Sequence, residues 1–196
     1  EFDLDQIVKG HRSTAAYYHI HTARGWRIIG EEKLLHSPLS DSAFEFRSAI
    51  ERILVELLLL VKQRNITKKD LDEIQRFSGL KNLLLRSAGG QKVLYRTLLF
   101  NRILAKTIGI PNDRCPSIPD IDKLGKFWGQ LSEYCHRQLM PHVTWDSLGQ
   151  QWIRDGYSLL NKVETYLWEI TITSPLGWFR PQTLPPDFLP TRIQFI

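Results

Sequence analysis

Cysteine is scarce in this chain and methionine scarcer: Cys115, Cys135 and one methionine stand among 196 residues. Two thiols cannot build a disulfide framework, and they have neither the number nor the spacing of a zinc site. They read as reduced structural thiols, which suits a cytoplasmic protein. Long apolar runs are missing as well. The longest nearly apolar stretch, 53–61, contains Glu56 and falls far short of the roughly 18 to 20 residues that cross a bilayer, so no membrane partner is expected. No n-region and h-region pair opens the chain. Alternation of apolar and polar residues never persists long enough to build a sheet. GxGxxG ahead of a helix, GxxxxGK[ST], HExxH and GxSxG are all lacking. Dinucleotide, P-loop, zincin and hydrolase-elbow chemistry therefore find no support, and neither a cofactor nor a metal is expected.

What the chain does have is helical periodicity. A hydrophobic content of 42% suffices for one good core, so a single domain with an appendage is expected. In "FRSAIERILVELLLLVKQRN", residues 46–65, Phe46, Ala49, Ile50, Ile53, Leu54, Leu57, Leu60 and Val61 gather on one side at about 100° per residue. Glu45, Arg52 and Glu56 gather opposite, which predicts a core helix. Val55 and Leu59 widen its apolar surface, placing it at the centre of a bundle or at a subunit contact. Arg47 and Glu51 stand one turn apart at the edge of the stripe, as a helix-surface pair or as part of a site wall.

Elsewhere the punctuation is clear. Residues 4–35 read as one helix or two, with Ala15, His19, Thr22, Trp26 and Ile29 recurring at helical steps. Pro38 and a cap at Ser40 or Asp41 separate this region from the core helix. Thr67 and Asp70 predict a short helix through Phe77, ended by Gly79. "SAGG" at 87–90 precedes a helix stopped by Gly109 and Pro111. Another helix carries "DIDKLGKFWGQLSEYCHRQLM" to Pro141, and a last one, capped by Thr144, carries a buried row of Trp145, Leu148, Trp152, Leu159, Leu160, Val163, Leu167 and Ile170. The predicted fold is all-α, a compact bundle of five to seven helices over residues 1–172. Residues 173–196 differ. They hold half of the chain's ten prolines together with Trp178, Phe179, Phe188 and Phe195, and predict an extended tail lying on the bundle or docking a protein partner.

Charge is informative locally. Lys81, Arg86, Lys92, Arg96, Arg102, Lys106 and Arg114 face the single acid Asp113 across residues 81–114. On the helix that begins after Gly90, Lys92, Arg96, Arg102 and Lys106 fall within about a third of the circumference, opposite Val93, Leu94, Thr97, Leu98, Leu104 and Ile108. Such a stripe is either a solvated face or a phosphate-tracking, RNA-binding or nucleotide-binding surface.

Histidines supply the remaining chemistry. His19 and His21 lie two residues apart, so on a helix they point about 200° from each other and do not chelate. In "LSEYCHRQLMPH", residues 131–142, Phe127, Leu131 and Cys135 project toward the core, while Ser132 and His136 share a shoulder. His136, Arg137 and His142 meet at a helix end that Pro141 opens. Two imidazoles and a guanidinium there could serve as a polar terminus or perform acid and base work on a phosphodiester.

The succession of "AFEFRSAIERILVELL" and, much later, "LSEYCHRQLMPH" within a helical chain resembles the HEPN superfamily, over roughly residues 12–170. That resemblance implies a helical bundle that is often a homodimer. It implies either a metal-independent endoribonuclease of defence or toxin-antitoxin systems, or an inactive module for nucleotides or partners. Active members carry Arg, four to six residues, then His, a spacing met by Arg137 with His142 and by Arg12 with His19. Gln138 replaces the Asn, His or Asp common in active members, and Pro141 falls inside the spacing. Three readings follow: a ribonuclease in which His142 and Arg137 act and Glu51 and Arg47 orient them, a silent RNA or nucleotide binder using the basic stripe, and a protein-interaction module using the tail and the Leu57 to Leu60 surface.

Overall fold

The computed structural model describes residues 16–62, 65–109, 111, 117–135 and 147–172. All regular structure among them is helical: α1 (Ala16–Glu31), α2 (His36–Val61), α3 (Lys68–Glu73), α4 (Phe77–Ser87), α5 (Gln91–Thr107), α6 (Ile121–Tyr134) and α7 (Ser147–Ile172). The all-α bundle expected from periodicity is the observed class. No helix among the described residues is long and apolar enough to cross a membrane. Residues 4–15, Thr144, Trp145 and the tail 173–196 lie outside the described residues.

The chain forms two compact units. Among the described residues, one takes 16–50 and 120–168 and the other takes those of 51–119 and 169–172. In the first unit, four helical segments pack against one another. The N-terminal part of α2 meets α1 through Ser42, whose hydroxyl donates 2.8 Å to the Ala23 carbonyl, and meets α6 through Arg47 over Trp128. α6 meets α7 where Tyr134 packs on Trp152, ring centroids 4.4 Å apart. α7 returns to α1 through Glu164, which accepts 2.7 Å from Arg27 Nε. Ile20, Ala23, Leu39, Phe46, Ile50, Leu124, Leu131, Leu160, Val163 and Leu167 fill the core of this unit.

The buried stripe of α2 is the predicted one through Leu57, with Leu58 added to it, whereas Leu60 and Val61 are half-buried. Its start differs. The helix begins at His36, and Pro38 stands in the first turn, where its missing N–H has no intrahelical acceptor to lose. On α1 the buried row is Ala16, Ile20, Ala23 and Gly30, one position off the row that marks the period; Trp26 and Ile29 are exposed. On α7, Leu160, Val163, Leu167 and Ile170 of the predicted row are buried and Trp152 and Leu159 only half-buried, while Ile153 and Tyr157 are buried in addition.

The second unit carries the remaining helices. Thr67 caps α3 with a capping box, its side chain receiving the Asp70 N–H while the Asp70 carboxylate receives the Thr67 N–H at 2.7 Å. α3 ends at Glu73, before Phe77. Gly79 then lies inside α4 rather than ending a helix: a Cβ there would overlap the Glu73 carbonyl oxygen, so glycine permits the close approach of α3 and α4. α4 closes with Gly89 at φ 76 and a Gly90 N–H to Leu85 C=O bond of 2.7 Å, a Schellman turn. α1 closes the same way, but with Leu34 at φ 50 where glycine is usual.

Candidate nucleic-acid interface

α5 owes its helix to straight-chain residues with no internal Gly or Pro, and Gly109 at φ 84 follows its last turn. Its N-cap Gly90 supplies no side-chain bond, and its first turn holds Lys92 and no acid. A cation there opposes the helix dipole by a few tenths of a kcal/mol, so Lys92 does not serve the helix. Only Leu94, Leu98 and Ala105 of α5 are buried. Of the side expected for packing only Leu94 and Leu98 are buried, while Val93, Thr97, Leu104 and Ile108 are exposed.

Lys92, Arg96 and Lys106 are exposed and Arg102 half-buried. Among the described residues none of the four has an ion-pair partner. Tyr95, Leu99 and Ile103 fall within the same third of the circumference as the cations at about 100° per residue, and Phe100 borders them. Tyr95 is 54% exposed, Phe100 63% and Ile103 54%. The spacing that marks the four cations in the chain also places Tyr95 among them and Phe100 at their border, a signal the charge pattern alone does not carry. Arg86, in contrast, leaves the basic set: both oxygens of Glu73 accept from its Nη2, at 3.0 and 2.8 Å, and Glu73 raises its pKa.

The proposed catalytic residues divide differently. His136, Arg137 and His142 lie outside the described residues. Arg47 goes to Trp128 rather than to Glu51: its guanidinium carbon lies 4.3 Å from the ring centroid, and its buried Nε has no acceptor among the described residues. That is a packed cation–π contact worth about 1 to 2 kcal/mol. Glu51 is half-buried one turn further along α2. Cys135 carries a half-buried thiol, in no disulfide, whose Sγ donates to the Leu131 carbonyl at 3.3 Å.

The HxH pair separates as its spacing requires. His19 Nδ1 and Glu45 Oε2 are 2.6 Å apart, while His21 stacks on Tyr17 at 5.7 Å between centroids. The His19–Glu45 pair joins α1 to α2 and was not visible in the sequence, because its members are 26 residues apart.

A second polar network ties α1 to α7. Arg27 donates to Glu164 and Glu31, and Asn161 Nδ2 donates 2.6 Å to Glu31. Burial by itself would lower the Arg27 pKa, but Glu164 and then Glu31 outweigh it and raise the value. Beside this network lies a groove of about 480 Å³, wide open to solvent and lined by Glu31, Leu34, Arg154, Tyr157, Ser158, Asn161 and Lys162. Comparison with family models, curated proteins and solved structures returns no match.

Proposed function

We propose that this chain is a HEPN-like helical domain that binds single-stranded RNA along α5. The carrying observation is the row of Lys92, Arg96, Arg102 and Lys106, unpaired among the described residues, interleaved with exposed Tyr95 and Ile103 and bordered by exposed Phe100. Cations of this kind neutralise phosphates and release counterions. Exposed rings beside them offer stacking faces that accept any base. In its catalytic form, which the sequence resemblance supports, Arg137 and His142 carry out metal-independent cleavage of the bound strand within a homodimer of a defence or toxin-antitoxin system.

Fluorescence anisotropy with a labelled single-stranded RNA across a salt series tests the binding. Four neutralised phosphates give a log–log salt slope of about −3, and each of Lys92→Glu and Arg96→Glu makes it shallower by about 0.7. Absence of RNA retention at low salt would sink the reading. Incubation in EDTA separates the catalytic form, since His142→Ala abolishes cleavage there and leaves binding in place.

The exposed Val93, Leu104 and Ile108 favour a second reading, a protein-interaction module that hides this apolar side of α5 with a partner. Under it, Val93→Ser with Leu104→Ser dissociates an assembly seen by light scattering and leaves RNA affinity unchanged.

A further inference from the structure

We propose that Arg154, Ser158 and Lys162 form the anion-holding rim of a binding site for a small phosphate ester, seated in the groove that they share with Glu31, Leu34 and Asn161. Its volume of about 480 Å³ is large enough for a small molecule, against roughly 300 to 1,000 Å³ for such sites, and it opens widely to solvent, as suits a ligand held by charge at its rim. All of its lining belongs to one compact unit.

The three rim residues recur at steps of four along α7, which places them in one row rising about 6 Å per step. All three are exposed, and among the described residues none makes a hydrogen bond or ion pair. Neighbouring cations behave otherwise. Arg27 is committed to Glu164 and Glu31, and Arg24 Nε lies 3.4 Å from Glu164. Arg154 and Lys162 thus stand without an ion pair among the described residues, on either side of a hydroxyl donor, the chemistry that holds phosphate oxygens.

Across the groove stands the opposite chemistry. Arg27 and Asn161 fix the Glu31 carboxylate, and each of its oxygens keeps a further acceptor position. A ligand that satisfies both sides carries a phosphate at one end and a hydroxyl or amine at the other. Leu34 supplies the apolar wall from a left-handed backbone, φ 50, that costs a non-glycine residue about 1 kcal/mol. The only lining ring, Tyr157, is 2% exposed, so the groove offers no stacking face for a base. The site therefore takes a phosphorylated polyol or amino alcohol and is independent of the RNA face on α5.

Calorimetric titration of the full chain with glycerol 3-phosphate, inorganic phosphate and glycerol tests this. Glycerol 3-phosphate binds saturably, inorganic phosphate more weakly, and glycerol not at all. Arg154→Gln and Lys162→Gln each weaken the ester by about tenfold, the loss of one charge-assisted contact, with unchanged thermal unfolding because both side chains are exposed. The double variant Lys92→Glu, Arg96→Glu leaves ester binding as it was, which separates this site from α5. No saturable binding in the millimolar range would overturn the proposal, as would affinity indifferent to Arg154→Gln and Lys162→Gln. Equal affinity for inorganic phosphate and the ester would overturn the part assigned to Glu31.

Discussion

The Tyr157 hydroxyl donates 2.6 Å to the carbonyl oxygen of Leu35, tying the middle of α7 to the turn after α1. Burial, aided by Glu31, pushes this phenol up to about 12 from an ordinary 10.0. Since the folded-state value lies above the unfolded one, its contribution is complete below about pH 10 and is lost as pH rises toward 12. Denaturant unfolding at stepped alkaline pH should show that loss, and Tyr157→Phe should flatten it while costing about 1 kcal/mol at neutral pH.

Asp70 gives the acid counterpart. The bond from Lys62 Nζ, followed by the Thr67 N–H, holds its carboxyl down at about 2 against an ordinary 3.8. A depressed value means stability that is present at neutral pH and lost as pH falls from about 4 through 2, in all on the order of 2 kcal/mol. Asp70→Asn should remove that acid sensitivity, and urea midpoints across the pH range provide the check.

Close approach should make two helical glycines intolerant. A Cβ on Gly156 would sit 2.7 Å from a Tyr134 ring carbon and 2.8 Å from a Leu39 methyl, and one on Gly30 would overlap the Tyr157 hydroxyl and meet the Pro38 Cβ at 2.6 Å. Alanine gains about 1 kcal/mol of helix propensity, yet overpacking of this kind costs about 1 to 3 kcal/mol. Both variants should therefore be net destabilised by thermal melt. Gly129, with nothing near its Cβ position, should instead gain stability on conversion to alanine.

On α5 the contrast is between faces. Phe100→Ser and Ile103→Ser should change stability by less than about 0.5 kcal/mol, whereas Leu98→Ala, at a position 2% exposed, should cost about 2 to 5 kcal/mol. Large losses at Phe100 or Ile103 in denaturant melts would mean that this side of α5 is packed, and the RNA-binding assignment would fall with it.

Local chemistry explains what was readable in advance. The α2 stripe from Phe46 to Leu57, the Thr67–Asp70 capping box and the Gly109 stop are each set by residues within a turn or two of one another, so chain spacing reports them directly. Gly79 and Pro38 were misread for the same reason. Near a helix end, glycine and proline look like breakers, and only neighbours brought by folding show that Gly79 makes room for Glu73 and that Pro38 begins a helix. Of the candidate site, the four cations of α5 were legible and the limited packing of that helix was not, because burial depends on what the rest of its unit offers to cover it.

By itself, the order of residues determined an all-α fold among the described residues, the greasy stripe of α2 and a cationic α5, since periodicity and capping act over a few ångströms along the backbone. Tertiary structure decided the rest. It paired His19 with Glu45, moved Arg47 onto Trp128, joined Arg86 to Glu73 and set Arg154 and Lys162 along a groove opposite Glu31, because such contacts form only between segments that the chain keeps far apart until it folds.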